Sequence, residues 1–271
     1  MEYYTIEKLH PWLYGIHDPM DVYMYLVVGE EKALLYDSAY GFAPISPVIR
    51  SITNLPLEVV LSHGHIDHAN GSYQFESAWI YEDDKELCLR HTGRTAKKRA
   101  LDGAASKGIS LPENFDDDAY IHSGAGNLKD MKIGQVFDLG GLCLEVVKME
   151  GHTQGSVGLL AQEKRVLLTS DGANPHLWLF LEESTSVSEY IAMLERSLKL
   201  EFDTFFIGHS GREFNKEYFN RFISAAKNAA PEKAVPYGAL PERKGMIYHE
   251  DDVAIVFSKD KLQTSTNKQI F

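Results

Sequence analysis

The run His63-Gly64-His65-Ile66-Asp67-His68 places four metal-binding side chains within six positions, directly behind the apolar run Leu57-Glu58-Val59-Val60-Leu61. A short apolar run of this kind reads as a buried strand. Ligands just past the C-terminal end of a strand lie where open α/β sheets hold their active sites. In extended chain, side chains two apart point the same way, so His63 and His65 can grip one ion together. Asp67 and His68 follow where the chain must turn, and can face a second ion.

Three further segments repeat this grammar. His152 stands in Glu150-Gly151-His152-Thr153-Gln154-Gly155-Ser156, behind the strand-like stretch Leu142 to Met149. Asp171 stands in Thr169-Ser170-Asp171-Gly172, behind Arg165-Val166-Leu167-Leu168. His209 stands in Ile207-Gly208-His209-Ser210-Gly211, behind Thr204-Phe205-Phe206. Each is an apolar run, then a ligand type, with glycine at or beside it. Glycine lets the backbone turn sharply and come close to a metal.

The HxHxDH run with its ordered later His, Asp and His resembles the metallo-β-lactamase superfamily of metallohydrolases, over roughly residues 20 to 212. Tyr25-Leu26-Val27-Val28-Gly29 and Ala33-Leu34-Leu35-Tyr36-Asp37 resemble the family's opening hairpin, with Asp37 at its early supporting aspartate. The resemblance implies an α/β fold, an αββα sandwich of two mixed sheets flanked by helices. It also implies a ligand set. His63, His65 and His152 would hold a first ion, and Asp67, His68 and His209 a second. Asp171 would bridge the two, and Asp67 and Asp171 are the catalytic residues it implies. Imidazole and carboxylate suit two divalent ions, with zinc expected and manganese or iron as alternatives. Two such ions share a hydroxide and lower its pKa towards neutrality.

Departures from particular members prune the family. Asp67 and Asp171 are not cysteine, unlike the cysteine-ligand zinc β-lactamases, and His65 is not the glutamate of flavodiiron proteins. The segment after His209 is short and ends in an apparent hairpin, which argues against the glutathione-binding helical region of glyoxalase II. Acyl-homoserine lactonases share the ligands and use a tyrosine near the carbonyl; Tyr40 and Tyr120 are the two candidates.

Composition narrows the class further. The formal net charge is −12 over 271 residues. Such a field repels polynucleotides, whose binding draws on basic surface and counterion release. The expected partner is a small molecule, not nucleic acid or membrane. Cys88 and Cys143 lie in apolar surroundings and read as buried free thiols of a reducing compartment. The N-terminus shows no apolar signal core. No apolar stretch approaches the ~20 residues that span a bilayer. A cytoplasmic protein is expected, not an exported antibiotic-degrading enzyme.

The ligands span positions 63 to 209, so one domain over residues 1–271 is expected. Helices are expected near Pro44–Thr53, behind the capping box Ser186-Val187-Ser188-Glu189, and over Glu213–Ala230. Residues 82 to 130 read as an insertion, which the resemblance implies covers the metal site as a lid, or as a solvated surface helix and loop. They are basic first (Arg90, Arg94, Lys97, Lys98, Arg99) and acidic later (Asp116-Asp117-Asp118). The basic run reads as a solvated helix face, or as an attractor of anionic substrate. His10, His17, His91, His122 and His249 read as surface or satisfied residues, and Trp178 and Phe180 as core. His176 lies soon enough after Asp171 to face the pocket. Residues 245 to 257 read as a hairpin that can pair with a second subunit, giving a homodimer, or cap its own chain.

The resulting expectation is a dinuclear metal-dependent hydrolase of a small ester, thioester or lactone. A phosphodiesterase of small phosphodiesters is the alternative, and a mononuclear-iron oxidoreductase resembling persulfide dioxygenases the third reading. A binding protein that keeps the fold is the fourth; it would be expected to lose ligands, and none is lost.

Overall fold

A computed structural model describes residues 3–240 and 243–262. The chain opens with β1 (Thr5–His10), β2 (Leu13–Asp18), β3 (Val22–Val28) and β4 (Ala33–Tyr36), a series of antiparallel strands. Then come α1 (Ser46–Ile52), β5 (Leu57–Val60), α2 (Ile66–Ala69) and β6 (Ala78–Tyr81). Residues 82–130 supply α3 (Glu82–His91), α4 (Arg94–Ser106), α5 (Asp117–His122) and the start of β7 (Leu128–Met131). Strands β4 to β7 run parallel and complete a seven-stranded mixed sheet.

The second sheet takes β8 (Val136–Asp138), β9 (Cys143–Lys148), β10 (Val157–Ala161) and β11 (Val166–Ser170). After β12 (His176–Leu179) and α6 (Val187–Ser197), it is completed by β13 (Thr204–Ile207), parallel to β11, and β14 (Ser210–Asn215). The chain continues through α7 (Tyr218–Asn228), β15 (Val235–Leu240), β16 (Arg243–Glu250) and β17 (Val253–Phe257).

The two-residue period of the strands builds the layers. On β3 and β4, Met24, Leu26 and Leu35 face an outer core shared with Ile49 of α1. Tyr25, Val27, Leu34 and Tyr36 face inward, against Leu144, Val146, Leu159, Leu168 and Phe206 of the second sheet. That sheet's other face packs Phe205 against Leu194 of α6 and Phe219 and Phe222 of α7. Strands β10 and β11 are buried along their whole length, which is why their sequences are continuous apolar runs instead of alternating ones. The result is the expected α/β arrangement of two mixed sheets with helices outside.

The hairpin of residues 245–257 exists as β16 and β17 and packs on its own chain, one of the two arrangements expected: β17 pairs in parallel with β12 in a third, four-stranded sheet. Other elements differ from the sequence expectation. Residues 210–215 form an edge strand, so the helix expected from Glu213 begins at Tyr218. The acidic run is explained locally: Asp116 caps α5, accepting from the amides of Asp118 and Ala119. Lys97 departs from a solvated helix face. It is fully buried between the rings of Tyr73 and Tyr120, and donates to the carbonyls of Tyr120 and Gly124. Burial lowers its pKa to about 8. Cys88 is buried and Cys143 only half-buried, and neither forms a disulfide. Among the described residues, no helix is long and apolar enough to cross a membrane.

Asp18 closes β2 and is fully buried. One carboxyl oxygen accepts the Met20 amide at 2.8 Å and faces the Tyr3 hydroxyl at 3.5 Å; the other has no partner among the described residues. Burial raises its pKa to about 7. A raised folded-state pKa means that the protonated form stabilises the fold. That contribution is fully present below about 4 and is lost as pH rises through about 7. Asp18→Asn is therefore expected to gain about 2–3 kcal/mol relative to wild type between pH 5 and pH 8. Thermal melts at both pH values check this, and an unchanged difference would sink it.

Candidate metal centre

All seven residues picked out by the sequence converge at the C-terminal ends of strands from both main sheets. His63, His65, Asp67 and His68 follow β5, His152 follows β9, Asp171 follows β11 and His209 follows β13. The two sheets are tied together at this point. The Val157 amide donates to Ser62 O at 2.9 Å, and the Tyr36 hydroxyl donates to Val157 O at 2.6 Å. The buried Asp84 at the start of α3 joins two ligand loops, accepting from the amides of Gly64 and Gly155 at 2.8 Å each.

The glycines of these loops are required by close approach and not by turning, since Gly64, Gly151, Gly172 and Gly208 all keep ordinary φ values. A Cβ on Gly208 would stand 2.6 Å from His68 Cε1 and 2.9 Å from Asp171 Oδ1. Positive φ falls instead on Asp37 (66°) and Ser170 (48°), two non-glycine residues beneath the site. Strained backbone of this kind concentrates at functional sites.

The hydrogen bonds around the five histidines have one pattern. His68 Nδ1 donates to Asp37 Oδ2 at 3.0 Å, and His63 Nδ1 to Ser62 Oγ at 2.8 Å. His152 Nδ1 donates to Trp178 O at 3.1 Å, and His209 Nδ1 to Asp21 O at 2.7 Å. His65 is reversed: Nε2 donates to Glu183 Oε1 at 2.8 Å. With one nitrogen of each ring carrying an outward N–H, the other five nitrogens point to a common centre, where they offer lone pairs once unprotonated.

Those five nitrogens fit a cation. His63 Nε2 and His68 Nε2 are buried with no hydrogen-bond partner among the described residues. His65 Nδ1 and His152 Nε2 approach to 2.8 Å, close enough that a proton or a metal ion must lie between them. The candidate ligand atoms of His63, His65 and His152 lie within 4.8 Å of one another, and so do those of Asp67, His68 and His209. Asp171 Oδ2 stands between the groups, 3.6 Å from His152 Nε2, 3.5 Å from His68 Nε2 and 3.2 Å from His209 Nε2. These residues can hold metal ions.

Their electrostatics agree. Burial, reinforced by the neighbouring rings, keeps His63 neutral and lowers His152 to about 4. Burial also opposes charge on His68 and His209. The carboxylates of Asp67, Asp171 and Asp37 nonetheless hold His68 well up, and Asp171 leads in raising His209 to about 9. Burial would raise Asp171, but His209 and His68 hold it well below the usual carboxylate range. Positive charge is thus favoured on the side of the three carboxylates.

The ligand atoms open into a cavity of about 420 Å³. Its walls include Tyr40, Ile66, Asn174, Leu177, Trp178 and Leu181, with His91 and His176. His176 lies where the sequence placed it. Tyr40 lines the cavity, while Tyr120 lies away from it and donates to Tyr40 O at 3.1 Å. His91 is half-buried and partnered, the second of the two readings given for it; it stacks on His65 with centroids 4.9 Å apart. Trp178 is in the wall as well as in core contact, while Phe180 is buried as expected. Glu183 carries no sequence signal at all, since no motif surrounds it. Burial would raise its carboxyl, but His65 lowers it to about 2. His65, His91 and Glu183 also cluster closely enough to hold an ion. However, the His65 nitrogen on that side carries the N–H, so the cluster reads as support for His65.

Residues 17–209 match the family model of the metallo-beta-lactamase superfamily. The acyl-coenzyme A thioesterase MBLAC2 of Gallus gallus is 23% identical over 189 residues, covering 65% of this chain and 66% of that protein. The hydroxyacylglutathione hydrolase GloC of Haemophilus influenzae is 26% identical over 152 residues, covering 51% and 64%. The chain thus spans about two thirds of the length of these curated relatives. Among solved structures, a sec-alkylsulfatase from Pseudomonas sp. superposes with a TM-score of 0.60 at 16% identity, over 83% of this chain and 41% of that one. A metallo-beta-lactamase family protein from Thermus thermophilus gives 0.54 at 19%, over 81% and 80%. At these identities the structural likeness concerns the fold alone.

Outer partners of metal-binding histidines fix the tautomer and typically contribute 10–100-fold in metal affinity. Glu183→Ala is therefore expected to weaken divalent-metal binding by roughly that factor, with the circular dichroism spectrum unchanged. Competition with a chromogenic chelator measures it; wild-type affinity in the variant would remove Glu183 from this role.

Proposed function

The chain belongs to the metallo-beta-lactamase superfamily, and from that membership we propose that it hydrolyses a small thioester at a centre of two divalent ions, zinc being the expected metal. The observation that carries the proposal is the convergence of five imidazole nitrogens and two carboxylates beneath a mainly apolar cavity. His63, His65 and His152 would hold one ion, Asp67, His68 and His209 the other, and Asp171 both. That the second group is complete supports two ions over a single iron. Ions bound there would bring a coordinated water's pKa towards neutrality and polarise a carbonyl oxygen.

The protein's own groups then bind, orient and accept protons. The bond from water oxygen to the acyl carbon forms and the carbon–sulfur bond breaks, giving a carboxylic acid and a thiol. Asp67 is partly open to the cavity, with 23% of its side chain exposed. Burial would raise its pKa, but His68 and His209 hold it below the ordinary aspartate value. It is therefore held as the carboxylate, with no proton to give a leaving group. A thiolate, whose conjugate acid has a pKa of about 8.5, leaves without much help; an alkoxide does not. This favours thioesters over plain esters. Burial holds the Tyr40 hydroxyl protonated, so it can donate to the carbonyl oxygen. Among the described residues, no lysine or arginine lines this cavity, which disfavours a phosphodiester at the reacting centre. The names of the two curated relatives support the thioester reading, and glutathione thioesters re-enter the substrate range through GloC. A monomer or homodimer in the cytoplasm fits this reading.

Asp171→Ala is expected to lose bound metal and thioesterase activity together, with kcat/KM falling at least about a thousandfold. Metal content by plasma mass spectrometry, alongside assays on thioester and phosphodiester panels, checks both. Full activity in the variant, or phosphodiesters turning over faster than thioesters, would overturn the proposal.

A further inference from the structure

A second cleft of about 370 Å³ adjoins the metal-side cavity. The two share Tyr40, Ile66 and His91, so they meet beside the reacting centre. The new cleft runs along α4, whose wall is Ala96, Ala100 and Gly103, and Arg90 and Arg99 line it too. Two guanidiniums thus line this cleft, whereas among the described residues no lysine or arginine lines the metal-side cavity, and guanidiniums in a cleft attract anions.

Gly103 is the informative wall residue. It lies inside the 13-residue helix α4 without a positive φ, and an added Cβ would meet only Met20 Cε, at an ordinary 3.9 Å. Neither conformation nor space requires glycine, and glycine inside a helix costs roughly 0.5–1 kcal/mol against alanine. Local choices that oppose stability mark functional positions. Here the effect is an open cleft. Arg99 stands four residues before Gly103 on the same helix face, and Arg90 lies in the last turn of α3.

We propose that this cleft receives the thiol half of the thioester, with an uncharged pantetheine-like arm along α4 and a phosphate held by Arg90 and Arg99. The inference rests on the thioester reading above and extends it to a phosphate-bearing thiol such as coenzyme A. The acyl half then occupies the cavity beside Leu177, Trp178 and Leu181, where an uncharged chain needs no cation. Guanidinium matches phosphate through paired hydrogen bonds, and the arm separates the phosphate from the acidic centre.

The test compares a coenzyme A thioester with the pantetheine thioester of the same acyl group, and measures binding of desulfo-coenzyme A, which has no thiol to reach the metal. Wild type is expected to favour the coenzyme A thioester about tenfold or more, through KM. Arg90→Ala with Arg99→Ala should shrink that preference about tenfold and weaken desulfo-coenzyme A in proportion. Gly103→Leu should raise KM for both thioesters while leaving metal content unchanged. Equal losses on both substrates in the arginine variant, or a higher kcat/KM for a glutathione thioester than for coenzyme A, would overturn the proposal. If no thioester turns over, the reaction reading fails by itself. Desulfo-coenzyme A binding then decides the cleft: loss in the arginine variant upholds it, and retention or absence of binding overturns it.

Discussion

The molecule is organised around an outward hydrogen bond from each of five imidazoles. An imidazole has two nitrogens, and only a fixed outer N–H leaves the inner one as a dependable lone pair. The acceptors come from widely separated parts of the chain: Asp21 O, Asp37, Ser62, Trp178 O and Glu183. A centre built this way exists only when both sheets and the segment leading from β12 to α6 are in place. The Asp37 carboxylate shows the cost. It gathers Ser62, Ser170 and His68 around its two oxygens, and it and Ser170 both adopt left-handed backbone. Conformations of that kind persist where surrounding contacts over-determine them.

The same constraint explains the depth of burial. Imidazoles on water-exposed loops would exchange partners with solvent, and their tautomers would not be fixed. Placing Asp37, His63, His68 and Ser170 at 1% exposure or less removes that competition. The consequence is concentrated charge. Three carboxylates beside His68, two of them also beside His209, favour a proton on the imidazoles, and a divalent ion held there would displace that proton. Folding, protonation and metal loading are coupled at one place, at the junction of the two sheets.

How much of this is legible in the sequence follows from which features are local. The ligands are readable because each ends an apolar strand, and strand-end position depends only on nearby residues. The sheet sandwich, the α6 capping box and the supporting role of Asp37 are readable for similar reasons, from pattern or from family resemblance. Glu183, His91 and the Trp178 carbonyl are not. Their roles depend on tertiary proximity to His65 and His152, with no spacing rule connecting them. Lys97 misleads because its neighbours in sequence are exposed cations, while its partners Tyr73 and Tyr120 come from other elements. The third sheet is half readable: the hairpin shows in the alternation, but its parallel partner β12 is more than sixty residues away.

A division of labour follows from this. Elements that position chemistry are the strands β5, β9, β11 and β13, whose C-terminal ends carry the ligands and whose inward faces are constrained by packing between the two sheets. Elements that bound the cavities are α3, α4 and β12, which carry no ligand and meet fewer such constraints. Leu177 and Trp178 come from β12, and the α4 cleft from the segment that is least patterned in the sequence. Substrate choice can therefore change through these elements while the outer hydrogen bonds of the histidines stay intact. Gly103 illustrates the separation: it opens a cleft at some expense to its helix, and nothing in the metal centre touches it. A residue that weakens its own element and leaves the ligands alone is best explained by what passes beside it.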